Sequence, residues 1–525
     1  MHWADKLAEE IIERNPNKKE YICAGGISPS GSVHIGNFRD IATPYFVMRA
    51  LNQKGKKAKL LFSWDDFDRL RKVPSNVAKV VDGFEQHIGV PYTMCPDPMD
   101  NNHESYGEHF EREFEASLKE LGVDCDIIRY QTKNYTSGLY NDQIVTAIKK
   151  RKQAYDILMS FKTQESNDED RENYYPLNVY CSKCHKDTTK VLSSSEDGEQ
   201  IEYECKSCGN HETINTRDYP LIKLVWKLDW PMRWQHEDVD FEAGGIDHAA
   251  ASGSYVVSRE IIKEIYGGKA PLFQGYGWLG IKGLGDMHSS SGMNLTPAQI
   301  LKIYEPEMVR WLFAKYAPQD SFDFAFDDTI IRHYSEFDKG LVAYKNGELP
   351  EYETRVFDLA LLHGKDTKQR VPFGVLASVA PIVDFKPDMV AVVMKKLGYD
   401  FTSEDAERLE RVKYWIETYQ PQKMYKLLDS KNQAYYDQMS EEDKLVVKKL
   451  HDYIASHDEI SDKEIQQYLY DTINNPALSK KENMAKQMAN FKNLYNLLFG
   501  LNEGPRLYLY FAAADKDKYN ELLNF

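Results

Sequence analysis

The sequence predicts an α/β fold with a parallel sheet, interrupted by a small metal-held insertion and followed by an α-helical carboxyl-terminal domain. Three observations predict it. Residues 21–64 read as strand, glycine-rich loop, helix and second strand, which is a parallel crossover unit. Cys181-x-x-Cys184 and Cys205-x-x-Cys208 form two pairs separated by twenty residues. From about Ile331 onward, apolar residues recur at helical spacing and convincing strands are few.

The first unit opens with the apolar run Tyr21-Ile22-Cys23-Ala24, suited to a buried strand. Gly25-Gly26-Ile27-Ser28-Pro29-Ser30-Gly31 then reads as a loop, and Phe38, Ile41, Tyr45, Met48 and Leu51 mark one helix face. Ala58 to Trp64 reads as the next strand. Glycines let backbone approach a ligand closely and a helix start favours negative charge, so a phosphate is expected here. At the end of the second strand, Asp65-Asp66-Phe67-Asp68 either receives a cationic substrate or caps the next helix. Residues 104–121 and 139–158 read as helices, with a strand at Ile127 to Tyr130.

The chain has 525 residues, 28% charged and 42% hydrophobic, as in ordinary globular proteins, and is long enough for two to four domains. Its amino terminus has no basic-then-apolar leader, and no apolar run is long enough to cross a bilayer, so a cytoplasmic protein without a membrane partner is expected. A net charge of −16 argues against indiscriminate nucleic-acid binding but leaves room for a local basic path, with Lys149-Lys150-Arg151-Lys152 one candidate. Of seven cysteines, Cys23, Cys95 and Cys125 are scattered and suit buried free thiols. Cys181, Cys184, Cys205 and Cys208 supply four thiolates to a tetrahedral Zn²⁺, a closed set that means a structural ion. A polar, acidic stretch from Thr163 to Glu172 leads into this insertion.

Beyond it, Leu221 to Asp229 reads as a strand, followed by Trp230-Pro231-Met232-Arg233-Trp234. Gly244-Gly245-Ile246-Asp247-His248 suits a ligand-facing loop, and Pro271 to Trp278 another strand. A helix is expected around Met308 to Lys315. Ser321 to Asp328 alternates apolar and polar residues as an exposed strand or strand-like linker would. Residues 404–418, 440–456, 461–474 and 478–499 are expected as helices.

The string Pro29-Ser30-Gly31-Ser32-Val33-His34-Ile35-Gly36-Asn37 resembles the "HIGH" signature of class I aminoacyl-tRNA synthetases, with Asn in the last position. Read with its flanks, ISPSGSVHIGNFRD looks like the class I lysyl form found in archaea and some bacteria. Gly245-Ile246-Asp247-His248 resembles the Gly-x-Asp-His element of the class, and Asp286-Met287-His288-Ser289-Ser290-Ser291-Gly292-Met293-Asn294 resembles its "KMSKS" loop. That loop departs from the pattern: Asp286 stands at the first Lys position, no Lys lies inside it, and Lys282 is the nearest. Gly504-Pro505-Arg506-Leu507 resembles the closing segment of the lysyl enzymes, whose helical domain binds the anticodon.

The resemblance implies a class I synthetase nucleotide-binding (Rossmann-like) catalytic domain, with halves at 1–172 and 213–330 around a zinc-binding insertion at 173–212. Residues 331–525 would then be a helical anticodon-binding domain. It implies a lysine–tRNA ligase acting on ATP, Mg²⁺, lysine and tRNA(Lys). His34, Asn37, Ser289 and Ser290 would be catalytic. ATP would lie against Pro29, Ser30, Gly31, His34, Gly36, Asn37, Asp247, Met287 and His288. Lysine would lie against Gly26, Ser28, Asp66, His248 and Tyr276. A class I synthetase for another amino acid, such as glutamate, and a non-catalytic paralogue are the alternatives; the acidic 65–68 cluster leans toward a cationic substrate.

Overall fold

The computed structural model describes residues 1–99, 101–162, 167–282, 295–457 and 461–525. The chain opens with α1 (Trp3–Arg14), which buries Leu7, Ala8 and Ile11. It continues through β1 (Tyr21–Ile27), α2 (Arg39–Gln53), β2 (Ala58–Trp64), α3 (Tyr106–Glu120) and β3 (Ile127–Tyr130). The insertion follows as β4 (Leu177–Val179), β5 (Thr189–Ser194), β6 (Gln200–Cys205), β7 (His211–Asn215) and β8 (Ile222–Leu224). Strands β5, β6 and β7 form an antiparallel meander, while β4 and β8 pair antiparallel at its base. The chain then makes α4 (Trp226–Glu237), β9 (Phe241–Gly245) and β10 (Leu272–Tyr276).

The main sheet has the order β10-β9-β1-β2-β3, with every pair parallel. Chain order reverses between β1 and β9. In an open parallel sheet that point leaves a crevice at the carboxyl ends, where ligands bind. Two glycine pairs, Gly25-Gly26 and Gly244-Gly245, lie at those two strand ends.

Gly25 and Gly26 belong to β1 rather than to the expected loop, pairing with Phe62 and Ser63 of β2. The reason lies in α2. A Cβ on Gly25 would lie 2.0 Å from the carbonyl oxygen of Asp40, so only a glycine lets the helix pack this close. Pro44, inside α2, has no N–H to offer that same carbonyl. Nearly the whole helix is buried, from Arg39 to Leu51, which offsets the missing bond.

The expected strand from Leu221 to Asp229 ends at Leu224, and α4 begins at Trp226. Pro231 lies inside α4, where an interior proline costs ~3 kcal/mol. Burial of Leu228 through Trp234 overrides that cost. The stretch Ser321 to Asp328 also differs from expectation. Its strand, β12 (Asp323–Ala325), pairs parallel with β11 (Gly280–Lys282), and Phe322, Phe324 and Phe326 are buried rather than exposed. The three aromatic rings face one large apolar core, which runs from β1 and α2 through Met308, Tyr334 and Phe373 to Trp415. Fully buried Arg408 braces this core, pairing with Glu305 at 2.7 Å and Asp338 at 2.9 Å.

Helices occupy the remainder as expected, including Ser403–Tyr419, Glu441–Ala455, Asp462–Ile473 and Lys480–Phe499. The last of these help build a second, separate apolar core. Among the described residues no helix is long and apolar enough to cross a membrane. The basic run 149–152 is largely engaged within the fold. Lys150 donates to the carbonyls of Glu264 and Ile265, Arg151 donates to that of Glu172 at 2.6 Å, and Lys152 pairs with Glu172.

Candidate active site

The crevice floor is built where β1, α2, α4 and β9 meet. Gly26, Asp40, Ser63, Asp65, Trp230, Arg233, Glu242, Gly244 and His248 line one cavity there. Asp40 comes from the first turn of α2, and Glu242 is the second residue of β9, an acid inside a buried strand. The Tyr276 hydroxyl donates to Asp40 at 2.5 Å. The Trp230 indole donates to Glu242 at 2.7 Å, and the Trp234 indole donates to its other oxygen. Among the described residues neither carboxylate makes an ion pair: Arg39, next to Asp40, directs its guanidinium to the carbonyls of Pro318 and Asp320. Burial pushes both carboxyl groups up to about 7; like charge from Glu242 and Asp65 adds to the rise at Asp40, and like charge from Asp65 to that at Glu242. The hydrogen-bond partners of both acids are neutral, while the Arg233 guanidinium, lining the same cavity and paired with Asp65 and Asp229, holds the Glu242 value down in part.

The acids of the 65–68 cluster are placed differently. Asp65 pairs with Arg233, which also holds Asp229, and Asp68 pairs with Lys223. Asp66 accepts from the Thr132 N–H at 2.8 Å, capping the short helix Gln131–Thr136. The cluster's three charges are thus engaged inside the fold. Ser28 bonds Tyr92, and neither Ser28 nor Asp66 lines the cavity.

His34 stands just before a short 3₁₀ turn, Ile35–Phe38, and its Nδ1 accepts from the Gly36 N–H at 2.9 Å. That bond fixes the tautomer: Nε2 carries the proton. Burial lowers the His34 pKa, so the ring is a neutral donor. A Cβ on Gly36 would lie 3.0 Å from His34 Nδ1, which makes glycine the fitting residue there. Asn37 is exposed at the turn and its side chain bonds Asp40. Pro29 is buried, Ser30 is exposed with its carbonyl accepting from the Tyr106 hydroxyl at 2.8 Å, and Gly31 lies against Pro74. Asp247 is exposed on the turn after β9, and His248 meets Trp230 edge-on at 5.4 Å. Met287, His288, Ser289 and Ser290 lie outside the described residues. The chain after them is anchored at the same place, because the Leu295 carbonyl accepts from the Ile35 N–H at 2.7 Å. Lys282, before them, pairs with Asp323 at 3.1 Å.

In the insertion, the Sγ atoms of Cys181, Cys184, Cys205 and Cys208 all lie within 4.8 Å of one another. Cys181–Cys208 and Cys184–Cys205 are each 3.6 Å apart. A tetrahedron of ~2.3 Å Zn–S bonds has edges of about 3.8 Å, so the cage fits zinc. His211 turns away to Glu202, at 2.7 Å. A second group that sequence reading missed brings Asp97, His103 and His109 together, with Asp97 3.2 Å from the His109 ring nitrogen. Two imidazoles and a carboxylate suit a divalent transition metal.

With this geometry in place, the family comparison is specific. Residues 1–363 match the family described as "tRNA synthetases class I (K)". This chain belongs to the class I (K) tRNA synthetases. Relatives span it almost end to end. A lysine–tRNA ligase of Streptomyces coelicolor is 32% identical, covering 99% of this chain and 98% of its own. One from Pyrococcus horikoshii is also 32% identical, covering 98% of each. A solved glutamate–tRNA ligase from Elizabethkingia meningosepticum, in complex with its amino acid, covers 97% of this chain and 99% of its own at 14% identity and a TM-score of 0.45. His248 of the Gly-x-Asp-His turn lines the crevice, and the HIGH-like turn donates from its Ile35 N–H to the Leu295 carbonyl. Asp40 and Glu242 are the residues that sequence reading missed. The available signal was an acid standing inside an otherwise buried strand or helix face.

Proposed function

We propose that this synthetase activates lysine with ATP to lysyl-adenylate and transfers the lysyl group to tRNA(Lys). The observation that carries the substrate choice is the pair Asp40 and Glu242, two buried acids held only by neutral donors. A lysine ε-ammonium supplies the missing positive charge. A glutamate side chain would add a further carboxylate to a floor that already holds Asp40, Asp65 and Glu242, so like-charge repulsion disfavours the glutamate alternative.

In the first step the lysine carboxylate attacks the α-phosphate and pyrophosphate leaves; in the second, a terminal ribose hydroxyl of tRNA attacks the lysyl carbonyl and AMP leaves. The chain need form no covalent bond, so catalysis rests on placement and on donors aimed at developing charge. His34 donates through Nε2–H and Asn37 through its amide toward the phosphates, with Ser289 and Ser290 beside them. Gly36 leaves room for the adenine ring, Asp247 accepts from the ribose, and Pro29, Ser30, Gly31, Met287 and His288 complete the ATP wall. Gly26, His248 and Tyr276 flank lysine together with Asp40 and Glu242; Ser28 and Asp66 act from behind, through Tyr92 and the capped helix. Mg²⁺ accompanies ATP and shields its phosphates. The Cys181, Cys184, Cys205 and Cys208 cage holds one structural Zn²⁺. Residues 1–172 and 213–330 form the activating unit around the 173–212 insertion, and 331–525 face the RNA.

Pyrophosphate exchange with each of the twenty amino acids, without and then with tRNA, tests this. Exchange is expected with lysine above all others. Exchange led by glutamate, or none at all in zinc-loaded protein, would sink it.

A further inference from the structure

The turn that carries His34 is tied down from a distant part of the chain. Ile35 is fully buried and gives its N–H to the Leu295 carbonyl at 2.7 Å. A buried backbone donor needs such an acceptor, so the place of Leu295 decides the place of the turn. Leu295 leads into the short helix Pro297–Leu301, whose start is closed by reciprocal bonds between Thr296 and Gln299. Leu295, Ile300, Leu301 and Ile303 are buried in the same apolar core as Ile35. Close-packed groups transmit displacement to one another, so a shift at 301–304 is felt at Leu295.

The far end of that segment is held by a helix of the carboxyl-terminal half, Ser403–Tyr419. The last carbonyls of a helix lack partners inside it. Here Arg411 donates through Nε to the carbonyls of Leu301 at 3.2 Å and Tyr304 at 3.3 Å. A second guanidinium nitrogen donates to the Glu407 carbonyl of its own helix at 3.1 Å, which fixes the group in place. Arg408, three residues earlier, pairs with Glu305, and Tyr414, three residues later, lies 5.2 Å below the Lys302 ammonium. Residues three apart share a helix face, so one face of this helix grips 301–305. The same helix reaches the chain before residue 283: the Trp415 indole donates to the Phe326 carbonyl at 2.8 Å, and the Phe326 N–H donates to the Lys282 carbonyl at 2.9 Å.

We propose that Arg411 is a positioning residue for lysine activation: by holding the 301 and 304 carbonyls it sets Leu295, and through Leu295 the Ile35 N–H and the His34 ring. Arg411 itself lines no part of the crevice cavity. The assignment rests on the activation chemistry above. His34 donates to developing charge only from a fixed place, since a misplacement of ~1 Å at the reacting groups costs on the order of 10²-fold in rate. A helix beyond the catalytic sheet is then a working part of the first step, in the absence of tRNA. Arg408 is a poor probe of this, because removing one partner of a buried ion pair strongly destabilises a fold. Arg411 is half-buried and donates to carbonyls alone, so its loss strands no buried charge.

The test uses the full-length, zinc-loaded chain without tRNA, and the variants Arg411→Gln, Arg411→Lys and, as a control exposed on the same helix, Glu410→Gln. Arg411→Gln is expected to lower kcat of lysine-dependent pyrophosphate exchange on the order of tenfold, with lysine affinity by calorimetry within about twofold. The amount of lysyl-adenylate formed per chain in a single turnover should stay at the wild-type level, so that the rate and not the folded fraction has changed. Arg411→Lys should recover part of the loss, since an ammonium can still donate to one carbonyl, and Glu410→Gln should match the wild type. In a His34→Ala background the cost of Arg411→Gln should shrink to less than about twofold, as for two residues acting on one contact. Hydrogen exchange gives a readout apart from activity: amides 34–38 should exchange on the order of tenfold faster in Arg411→Gln and at the wild-type rate in Glu410→Gln. An unchanged kcat, an undiminished cost in the His34→Ala background, or a rate that falls only with the amount of adenylate formed overturns the proposal. So does unaltered exchange at 34–38. If the wild type performed no pyrophosphate exchange, the charging function would fall, while the hold of Arg411 on the His34 turn would still be judged by hydrogen exchange.

Discussion

The cysteine cage and the acid floor are both clusters of side chains whose chemistry suits a positive ion, but they are assembled in opposite ways. The cage draws its four thiolates from residues 181–208, two by two, on neighbouring turns of one small meander. The floor draws Asp40 from a helix, Glu242 from a strand and Tyr276 from another strand, spread across more than two hundred residues. A cage of local repeats can hold its ion for structure alone, whereas the floor exists only if the whole sheet closes correctly. Removing one ligand should therefore have different consequences in the two places.

The largest effect is expected at the floor. Asp40→Asn keeps the shape and the Tyr276 contact but removes a charge from a buried ion pair with the substrate. Such losses run to about 2–5 kcal/mol, so kcat/KM for lysine in pyrophosphate exchange should fall on the order of 10²–10³-fold. A variant within about threefold of wild type would dissolve the contrast, since Asp40 would then be no more than packing. His34→Ala should be of similar size but of another kind. Loss of one donor to developing charge lowers the rate on the order of 10²–10³-fold, while lysine affinity measured by calorimetry stays nearly level. Parallel loss of both would mark His34 as only a cap for its turn.

At the cage, Cys181→Ser should lose the zinc and lower the melting temperature by several degrees, while some lysine-dependent exchange survives. Metal analysis finding no zinc even in wild-type protein purified without chelator would remove the cage from the comparison altogether.

A smaller effect follows from protons. Asp40 and Glu242 sit at about 7 in the fold against roughly 4 in an unfolded chain. Their folded values are raised, so the stability they contribute is present below about pH 4 and is lost as pH climbs through about 7. Bound lysine needs both ionised. Its affinity should tighten on the order of 100-fold between about pH 6 and pH 8, with protons released on binding near pH 7, detectable as a buffer-dependent heat. A flat profile would mean the two acids are already ionised or do not meet the ammonium. The mildest test is Tyr276→Phe, which deletes one hydrogen bond to a charged group and should weaken lysine binding roughly tenfold.

The same contrast explains what was legible in the sequence. Cys-x-x-Cys pairs, the glycine-rich turn and the helices beyond Ser403 announce themselves within a few residues, because local spacing determines them. The β1–β2 unit was equally plain. Asp40 stood in the quoted string without a role, because nothing local says that Tyr276 will reach it. The 65–68 cluster left two readings open, a cationic substrate or a helix cap, for the converse reason: only the fold brings Arg233 and Lys223 to meet two of its acids and sets the third on a helix start. The start of the helix at Trp226–Glu237 reads as the end of a strand, because the burial that outweighs the penalty of its Pro231 is not revealed by spacing alone.

Gly25 makes the floor a matter of height. The missing side chain lets helix α2 settle onto β1 until its Asp40 carbonyl stands where a methyl group would be. The backbone contact that sets the helix's altitude thus belongs to the same residue whose carboxylate is proposed to meet the ammonium. Adding that methyl group would lift the acid from the sheet while leaving every side chain around the substrate unchanged. Gly25→Ala should then behave as a selectivity variant, loosening the grip on lysine relative to shorter diamino acids, although residue 25 itself carries no group that recognises either.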